Sequence, residues 1–281
     1  MSLYVCLKQF KMNLFSLKNK VVLVTGGGGV LGGSMAEYLL KHDATVIILH
    51  YKKDTVDETV KRMASISSKV DGYVCNVVEE KSLQEVSDAI IKKYGKIDVL
   101  INAAGGNMPG ATVGPAQSFF DINMDDFRKV VDLNLFGSII PSIVFGKEMV
   151  KNKQGVIINI SSMASERAIT RVAGYSASKA AIDNYTKWLS VELALKYGDG
   201  LRVNAIAPGF FIGNQNRALL LNEDGTYTDR GNKIIANTPM KRFGDADELH
   251  GALHYLCSDA SKFVTGITIP VDGGFSAFSG V

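Results

Sequence analysis

Short runs of Val, Ile and Leu alternate along this chain with longer stretches in which apolar positions recur every three to four residues. The runs at 21–25, 45–50, 70–75, 99–102, 156–160, 202–206 and 267–271 read as seven strands. Most are continuous apolar runs rather than strict alternations, as expected of strands covered by helices on both faces. The amphipathic stretches between them, among them 81–94, 125–151 and 175–197, read as helices. This succession predicts an α/β fold with a seven-stranded parallel sheet. Nothing in the chain resembles a linker, so residues 17–281 read as one domain preceded by an extension over 1–16. Because Met12 to Lys20 leads directly into the first strand, residues 1–11 are expected to be an added or mis-assigned start.

Two connections, 105–124 and 208–239, are longer than such loops usually are. Long connections at the carboxyl ends of parallel strands are where an open α/β sheet binds ligands. Phe210, Phe211, Ile212, Leu219, Leu220 and Leu221 make the second too apolar for a disordered insertion, so 208–239 is expected to be a substrate lid.

Composition narrows the class. With 281 residues, 46% hydrophobic and 21% charged, the chain can build a large core. A net charge of +3 with no basic stripe argues against nucleic acid. Three scattered cysteines without a CxxC pair suggest reduced thiols in the cytoplasm and no zinc site, and no other cluster suggests a metal. No uninterrupted apolar stretch approaches the roughly 18 residues of a membrane span, so no spanning helix is expected. The first twenty residues are broken by Lys8, Lys11, Lys18 and Lys20, which excludes a signal peptide or anchor of the usual kind.

The chemistry is carried by Tyr175-Ser-Ala-Ser-Lys179, with Ser162 thirteen residues upstream. A phenol of pKa about 10 is a poor base at neutral pH and needs a nearby cation to favour its phenolate. A lysine four residues on lies on the same face of a helix. Tyr4 and Lys8 share that spacing, but only Tyr175 has the serine and an upstream glycine loop.

That loop is Thr25-Gly-Gly-Gly-Gly-Val-Leu-Gly-Gly33, placed between the first strand and a helix beginning near Leu31. Gly26, Gly28 and Gly29, with Val30 and Leu31, would let the backbone approach a pyrophosphate at the helix N-terminus. An acid at the end of the second strand usually selects NAD over NADP. His50, Tyr51, Lys52 and Lys53 stand there instead, so the cofactor is expected to be NADP or NAD, with NADP slightly favoured. Asn76, followed by Val77, is placed to contact the adenine. Asn102, Ala103, Ala104 and Gly105 are expected to line the wall near the nicotinamide.

Together these residues, with Asn134, Pro208 and Gly209, make the chain resemble the classical short-chain dehydrogenases/reductases from about Leu17 to its end. The resemblance implies a single Rossmann-like, doubly wound domain and a nicotinamide-dependent oxidoreductase. It assigns Tyr175 as proton donor and acceptor, and Ser162 as holder of the substrate oxygen. Lys179 would lower the tyrosine pKa and bind the nicotinamide ribose, and Asn134 would hold a relay water. It also implies a homotetramer packed through the helices at 125–151 and 175–197. Val30 stands where the family commonly has glycine, and Asn76 where it commonly has aspartate.

Within the family, stretches such as Gly114-Pro-Ala-Gln-Ser-Phe-Phe120 and Ala207-Pro-Gly-Phe-Phe211 resemble the D-mannonate oxidoreductase, or fructuronate reductase, group. That implies a sugar-acid substrate, whose carboxylate calls for arginine. Arg167, Arg171 and Arg217 are the candidates. Asn107, Met163, Gln215 and Asn216 complete the expected substrate surface. The alternatives are a reductase of gluconate-like polyols or 3-oxoacyl thioesters, or a nicotinamide-binding regulator without catalysis.

Overall fold

Neighbouring residues of each strand point to opposite sides of the sheet, and both sides are dry. In strand β1 (Val21–Thr25), Val21 and Leu23 belong to one buried cluster while Val22 and Val24 belong to the other. The same division runs through β2 (Thr45–His50) and β4 (Val99–Asn102), which is why these strands read as unbroken apolar runs. A one-residue slip would exchange every inward contact, so the burial pattern fixes the register.

The computed structural model describes residues 13–213 and 216–280. Strands β3 (Val70–Val74), β5 (Gly155–Ile160), β6 (Leu201–Pro208) and β7 (Thr268–Val271) complete a seven-stranded parallel sheet of order β3-β2-β1-β4-β5-β6-β7. Strand β6 runs two residues past the expected end because its last four residues pair with β7.

Helices α1 (Val30–Lys41) and α2 (Lys53–Ala64) cover one face, together with α9 (His250–Cys257). Helix α3 (Glu80–Tyr94), α5 (Gly137–Lys151) and α6 (Ala173–Tyr197) cover the other, where Phe145, Met149, Leu83 and Ile90 are buried. Helix α4 (Met124–Val131) continues into α5 through a π turn over Asp132–Phe136. The lid segment carries two short helices, α7 (Arg217–Leu220) and α8 (Asp229–Ala236), gathered on a small cluster of Leu220, Ile234 and Phe243.

One sequence expectation needs correction. The helical run Met124–Lys151 is long and apolar enough, by length and composition, to cross a membrane. Half of its most apolar window is buried within the fold, where α5 lies against β4, β5 and α3. Its hydrophobicity therefore serves the core, and the polar positions that break it up are too sparse to show this in the sequence.

The segment before β1 is tied to the body. Leu17 is buried, Leu14 accepts a hydrogen bond from the Ala260 amide at 3.0 Å, and the Phe15 carbonyl lies 2.6 Å from His254 Nε2. His254 belongs to a cluster in which Tyr38 stacks between His42 and His250, at centroid distances of 4.1 and 4.3 Å. The Tyr38 hydroxyl meets His254 Nδ1 at 2.9 Å, and Ser34 meets His250 Nε2 at 2.9 Å. Burial holds His250 below its ordinary 6.5, aided by His42 and Lys41 and opposed by Asp247 and the Ser34 contact. His50 is lowered by burial as well.

An imidazole lowered in the fold binds its proton more readily in the unfolded chain, so stability falls as pH drops below about 6.5. The paired carboxylates Glu37, Asp71 and Glu248, also lowered, act only further down in the acid range. Thermal melts between pH 8 and 5 are expected to show a decline beginning near 6.5 that shrinks in His250→Gln. An identical profile in the variant would contradict this.

Candidate functional site

The carboxyl ends of β1 and β4 lie side by side at the centre of the sheet, where strand order reverses and such sheets bind ligands. Thr25, buried at the end of β1, ties the two ends together: its hydroxyl accepts from the amides of Ala103 and Ala104, both at 3.1 Å. Gly26 follows in the left-handed region at φ 65°, and its amide donates to the Leu49 carbonyl at 2.8 Å. A Cβ at Gly26 would come within 2.9 Å of the Ala103–Ala104 backbone, and one at Gly32 within 2.4 Å of the Gly26 carbonyl oxygen. These glycines are demanded by close approach of three chain segments.

Helix α1 begins at Val30, behind Gly29, with no side-chain cap and no acid in its first turn. Its first amides are therefore left for an anion, as a pyrophosphate site requires. Val30 is 40% exposed, so replacing the customary glycine puts a side chain on the surface at the mouth of the loop rather than inside it. Gly28 instead packs toward Thr55 of α2. Leu31 lies against the core on the α1 side.

Beyond β2, the Lys52 amide donates to His50 Nδ1 at 3.1 Å, and the Lys52 ammonium lies 5.4 Å from the centre of the exposed Tyr51 ring. Lys53 is paired with Asp57 one turn along α2. Of the two lysines expected near a 2′-phosphate, Lys53 is thus engaged elsewhere. The Asn76 side chain is held by its own turn, donating to Glu79 at 2.7 Å and accepting from the Val78 amide at 3.3 Å. Val77 is buried beside Gly137.

Asn102 does not line the nicotinamide wall as expected. It is buried, pointing under α5, and its amide donates to Asn159, Ser142 and the Ser138 carbonyl at 2.9–3.2 Å. Asn159 in turn donates to Thr186 of α6 at 2.9 Å. The reason is strand geometry: as the last residue of β4, Asn102 shares the inward face of Leu100, and the wall is left to Ala103, Ala104 and the exposed Gly105.

The catalytic candidates come together. The Ser162 hydroxyl accepts from the Ala164 amide at 3.2 Å, and its side chain lowers the pKa of the buried Tyr175 phenol. Ser161, its neighbour, is buried with no partner for its hydroxyl, and Ser162 is the serine that acts on the Tyr175 pKa. Lys179 is only 4% exposed; its ammonium donates to the Ile160 carbonyl at 2.7 Å and lies 5.5 Å from the centre of the Tyr175 ring. Asp183, one turn further along α6, adds a favourable charge.

Burial pushes the Tyr175 phenol above 10, and the nearby Ser162 side chain pulls it part of the way back. The Lys179 ammonium is turned to the Ile160 carbonyl and is itself drawn down by burial to about 8. Asn134, in the π turn, is also corrected. Its oxygen accepts from the Gly106 amide at 3.2 Å, and its nitrogen donates to the Gly106 and Val130 carbonyls at 2.6 and 2.8 Å. Both amide hydrogens are committed to backbone, so the side chain locks the loop after β4 rather than offering itself to a water. A Cβ at Gly105 would lie 2.8 Å from Asn134 Oδ1 and 3.6 Å from Lys179 Nζ, which shows how closely loop, π turn and α6 meet.

The substrate candidates are scattered around this point. Met163 is buried, and Asn107 bonds Thr112 at 2.8 Å while its buried oxygen has no partner. Arg167 reaches the Ser276 carbonyl in the C-terminal segment, and Arg171 lies in the loop leading into α6. Asn216 is taken up by its own loop, accepting from Gly213 at 2.8 Å and donating to Phe211 at 2.9 Å. Arg217 is exposed at the start of α7, and Gln215 lies outside the described residues. Pro208 ends β6, and the Gly209 amide bonds Val271 at 2.9 Å against Asp272, where a Cβ would clash. Phe275 of the C-terminal segment packs edge-on against Phe210 of the lid, 5.1 Å between centres.

Sequence reasoning missed the clamp by Thr25, the inward chain Asn102–Asn159–Thr186 and the charge of Asp183. Only Asp183 left a signal, its four-residue spacing from Lys179.

Comparison with known proteins agrees with this geometry. The model of a family described as enoyl-(acyl carrier protein) reductase matches residues 29–276. The Bacillus subtilis "Uncharacterized oxidoreductase UxuB" is 44% identical, over 95% of this chain and 98% of its own length. A Haemophilus influenza protein proposed to be a D-mannonate oxidoreductase, crystallised with bound NAD, is 42% identical with a TM-score of 0.88, covering 95% of this chain and 98% of its own. A gluconate 5-dehydrogenase from Burkholderia cenocepacia, in complex with NADP and tartrate, is 31% identical with a TM-score of 0.84, covering 94% and 98%.

The buried lysine has a consequence for stability. At pH 7 Lys179 is charged both folded and unfolded, and the gap between about 8 and its ordinary 10.5 disfavours the fold by about 3 kcal/mol. As pH rises from 8 to 10.5 the folded chain loses this proton first, so that penalty disappears. Lys179→Met is therefore expected to be more stable than wild type at pH 7, with the difference shrinking toward pH 10.5 in paired denaturant titrations. A constant difference would show that Lys179 is not desolvated.

Proposed function

The chain belongs to the classical short-chain dehydrogenase/reductase family, and from that premise we propose that it interconverts a ketone and a secondary alcohol on a sugar acid of the D-fructuronate/D-mannonate kind. It is an NAD(P)-dependent oxidoreductase. The observation that carries the chemistry is the buried Lys179 ammonium, held by the Ile160 carbonyl 5.5 Å from the centre of the Tyr175 ring, with Ser162 drawing the phenol's pKa down.

The residues present fit a dinucleotide: the close-packed glycines leave backbone exposed at an uncapped helix N-terminus, and the wall residues Ala103 to Gly105 have small or no side chains. When bound, the nicotinamide supplies or accepts the hydride. In the reducing direction negative charge grows on the substrate oxygen, and the Ser162 and Tyr175 hydroxyls are placed to donate to it together. Tyr175 then gives that oxygen its proton, and in the oxidising direction takes it back. Burial keeps the phenol protonated and suited to donation, while Lys179, when charged, stabilises the phenolate left behind.

The sugar-acid reading draws support from two solved relatives, one proposed to act on D-mannonate and one a gluconate dehydrogenase with tartrate bound. The reading is also supported by Asn107, whose buried amide oxygen has no partner, and by the buried Met163 directly after Ser162. Lys52, with no acid at the end of β2, favours NADP, although Lys53 contributes little once paired with Asp57. The unpaired thiols of Cys75 and Cys257 suit a reducing cytoplasm. A homotetramer is supported by the exposed apolar stripe Trp188, Val191 and Leu195 on α6 and by the exposed Ile143 on α5.

Initial rates of NADH and NADPH oxidation with D-fructuronate, run beside 5-ketogluconate and acetoacetyl thioester, test the substrate. Preference for D-fructuronate by tenfold or more in kcat/KM is expected; turnover confined to a control would reject the assignment. Sedimentation is expected to give a mass four times 30.3 kDa, falling in Leu195→Glu. A monomeric wild type would reject the tetramer.

A further inference from the structure

Arg230, on lid helix α8, was not among the arginines singled out by the sequence. Its guanidinium reaches the loop before α6, donating to the Thr170 hydroxyl at 3.2 Å and to the Thr170 carbonyl at 3.5 Å. The next residue, Arg171, is held at φ 79°, in the left-handed region where non-glycine residues are uncommon. Its carbonyl accepts from the Val113 amide at 2.9 Å, so the loop after β4 fixes this conformation. The lid thus brings a guanidinium onto the residue that precedes Arg171, four positions before Tyr175 in the chain.

Burial holds Arg230 below its ordinary value, and the like charge of Arg171 adds to the effect. Among the described residues neither arginine forms an ion pair. Arg62, Arg128 and Arg242, by contrast, each meet a carboxylate. Arg167 is drawn to the Ser276 carbonyl, and Arg202 is satisfied by Ser261 and main-chain carbonyls. Each guanidinium has five N–H donors, and Arg230 uses two of its groups on Thr170. An unusual backbone and two unneutralised arginines, one bonded to the residue next to the other, mark a place prepared for an anion.

We propose that Arg171 and Arg230 together form the carboxylate subsite, one from the loop entering α6 and one from the lid. The inference rests on the sugar-acid reading and deepens it: the acid end of the substrate binds between lid and body, and the carbonyl end meets Ser162 and Tyr175. Neutral sugars lack the group that relieves the repulsion and are discriminated against.

Steady-state kinetics with D-fructuronate on Arg171→Ala, Arg230→Ala, Arg230→Gln and Arg230→Lys test this, with Lys233→Ala on the same helix as the charge control. Melting temperature and nicotinamide affinity identify any variant that fails to fold. The expected result is a rise in KM of tenfold or more for Arg171→Ala, Arg230→Ala and Arg230→Gln, falling on KM rather than kcat, with partial recovery in Arg230→Lys and wild-type KM in Lys233→Ala. Unchanged KM in folded Arg171 and Arg230 variants would overturn the clamp. If wild type turns over only neutral ketones, the substrate reading fails by itself, and the clamp is then read from competitive inhibition by tartrate against the ketone. A Ki raised tenfold or more in the variants would support the subsite; no inhibition of wild type, or equal inhibition in the variants, would overturn it.

Discussion

An ammonium that is nearly all removed from water, with a single main-chain carbonyl as its hydrogen-bond acceptor, sets the geometry of this site. Lys179 can donate to Ile160 only if α6 lies against the end of β5, and that placement carries Tyr175, one turn earlier, to the serine that follows the strand. The arrangement opposes folding at neutral pH, so the surroundings must hold it. They do so with a chain of buried hydrogen bonds, Asn102 to Asn159 to Thr186, which joins β4, β5 and α6 beneath the site. In a dry interior such bonds are strong when satisfied and costly when broken, so the three elements are held in one register.

The cofactor side is built on the same principle with smaller groups. Thr25 draws the end of β4 onto β1, Gly26 and Gly32 permit a contact no side chain would allow, and Asn134 pins the next turn through Gly106. The π turn at Asn134 interrupts an otherwise continuous helical run at the point where it faces this loop, which accords with the frequency of π turns at functional sites. Rigid strands below and bonded loops above leave the lid, built around its own small cluster, as the element that differs in character from the rest.

The central strands β1, β2 and β4 were legible because both faces of the sheet are dry there, which makes each a nearly unbroken apolar run. The catalytic group was legible because its spacing follows a helix. Side-chain direction was not: Asn102 sits in a motif that seems to face the cofactor, yet its place as the last residue of β4 turns it inward. The reach of Lys179 to a carbonyl rather than to the phenol likewise depends on how α6 crosses β5. Arg230 was hidden because nothing in its local sequence separates it from a solvated helix arginine; only the lid's return over the loop at Thr170 brings it to Arg171. The run at 124–151 shows the reverse case, where core packing and membrane affinity write the same composition.

The central claim is that the Tyr175 phenol moves the proton while the rest of the site binds and orients. Single-turnover reduction by Tyr175→Phe, measured beside its nicotinamide affinity by titration, tests it most directly. Loss of turnover by a factor of about 10² to 10⁴ or more, with affinity near that of wild type, is the predicted result. Turnover within tenfold of wild type would contradict it and place the proton donor elsewhere.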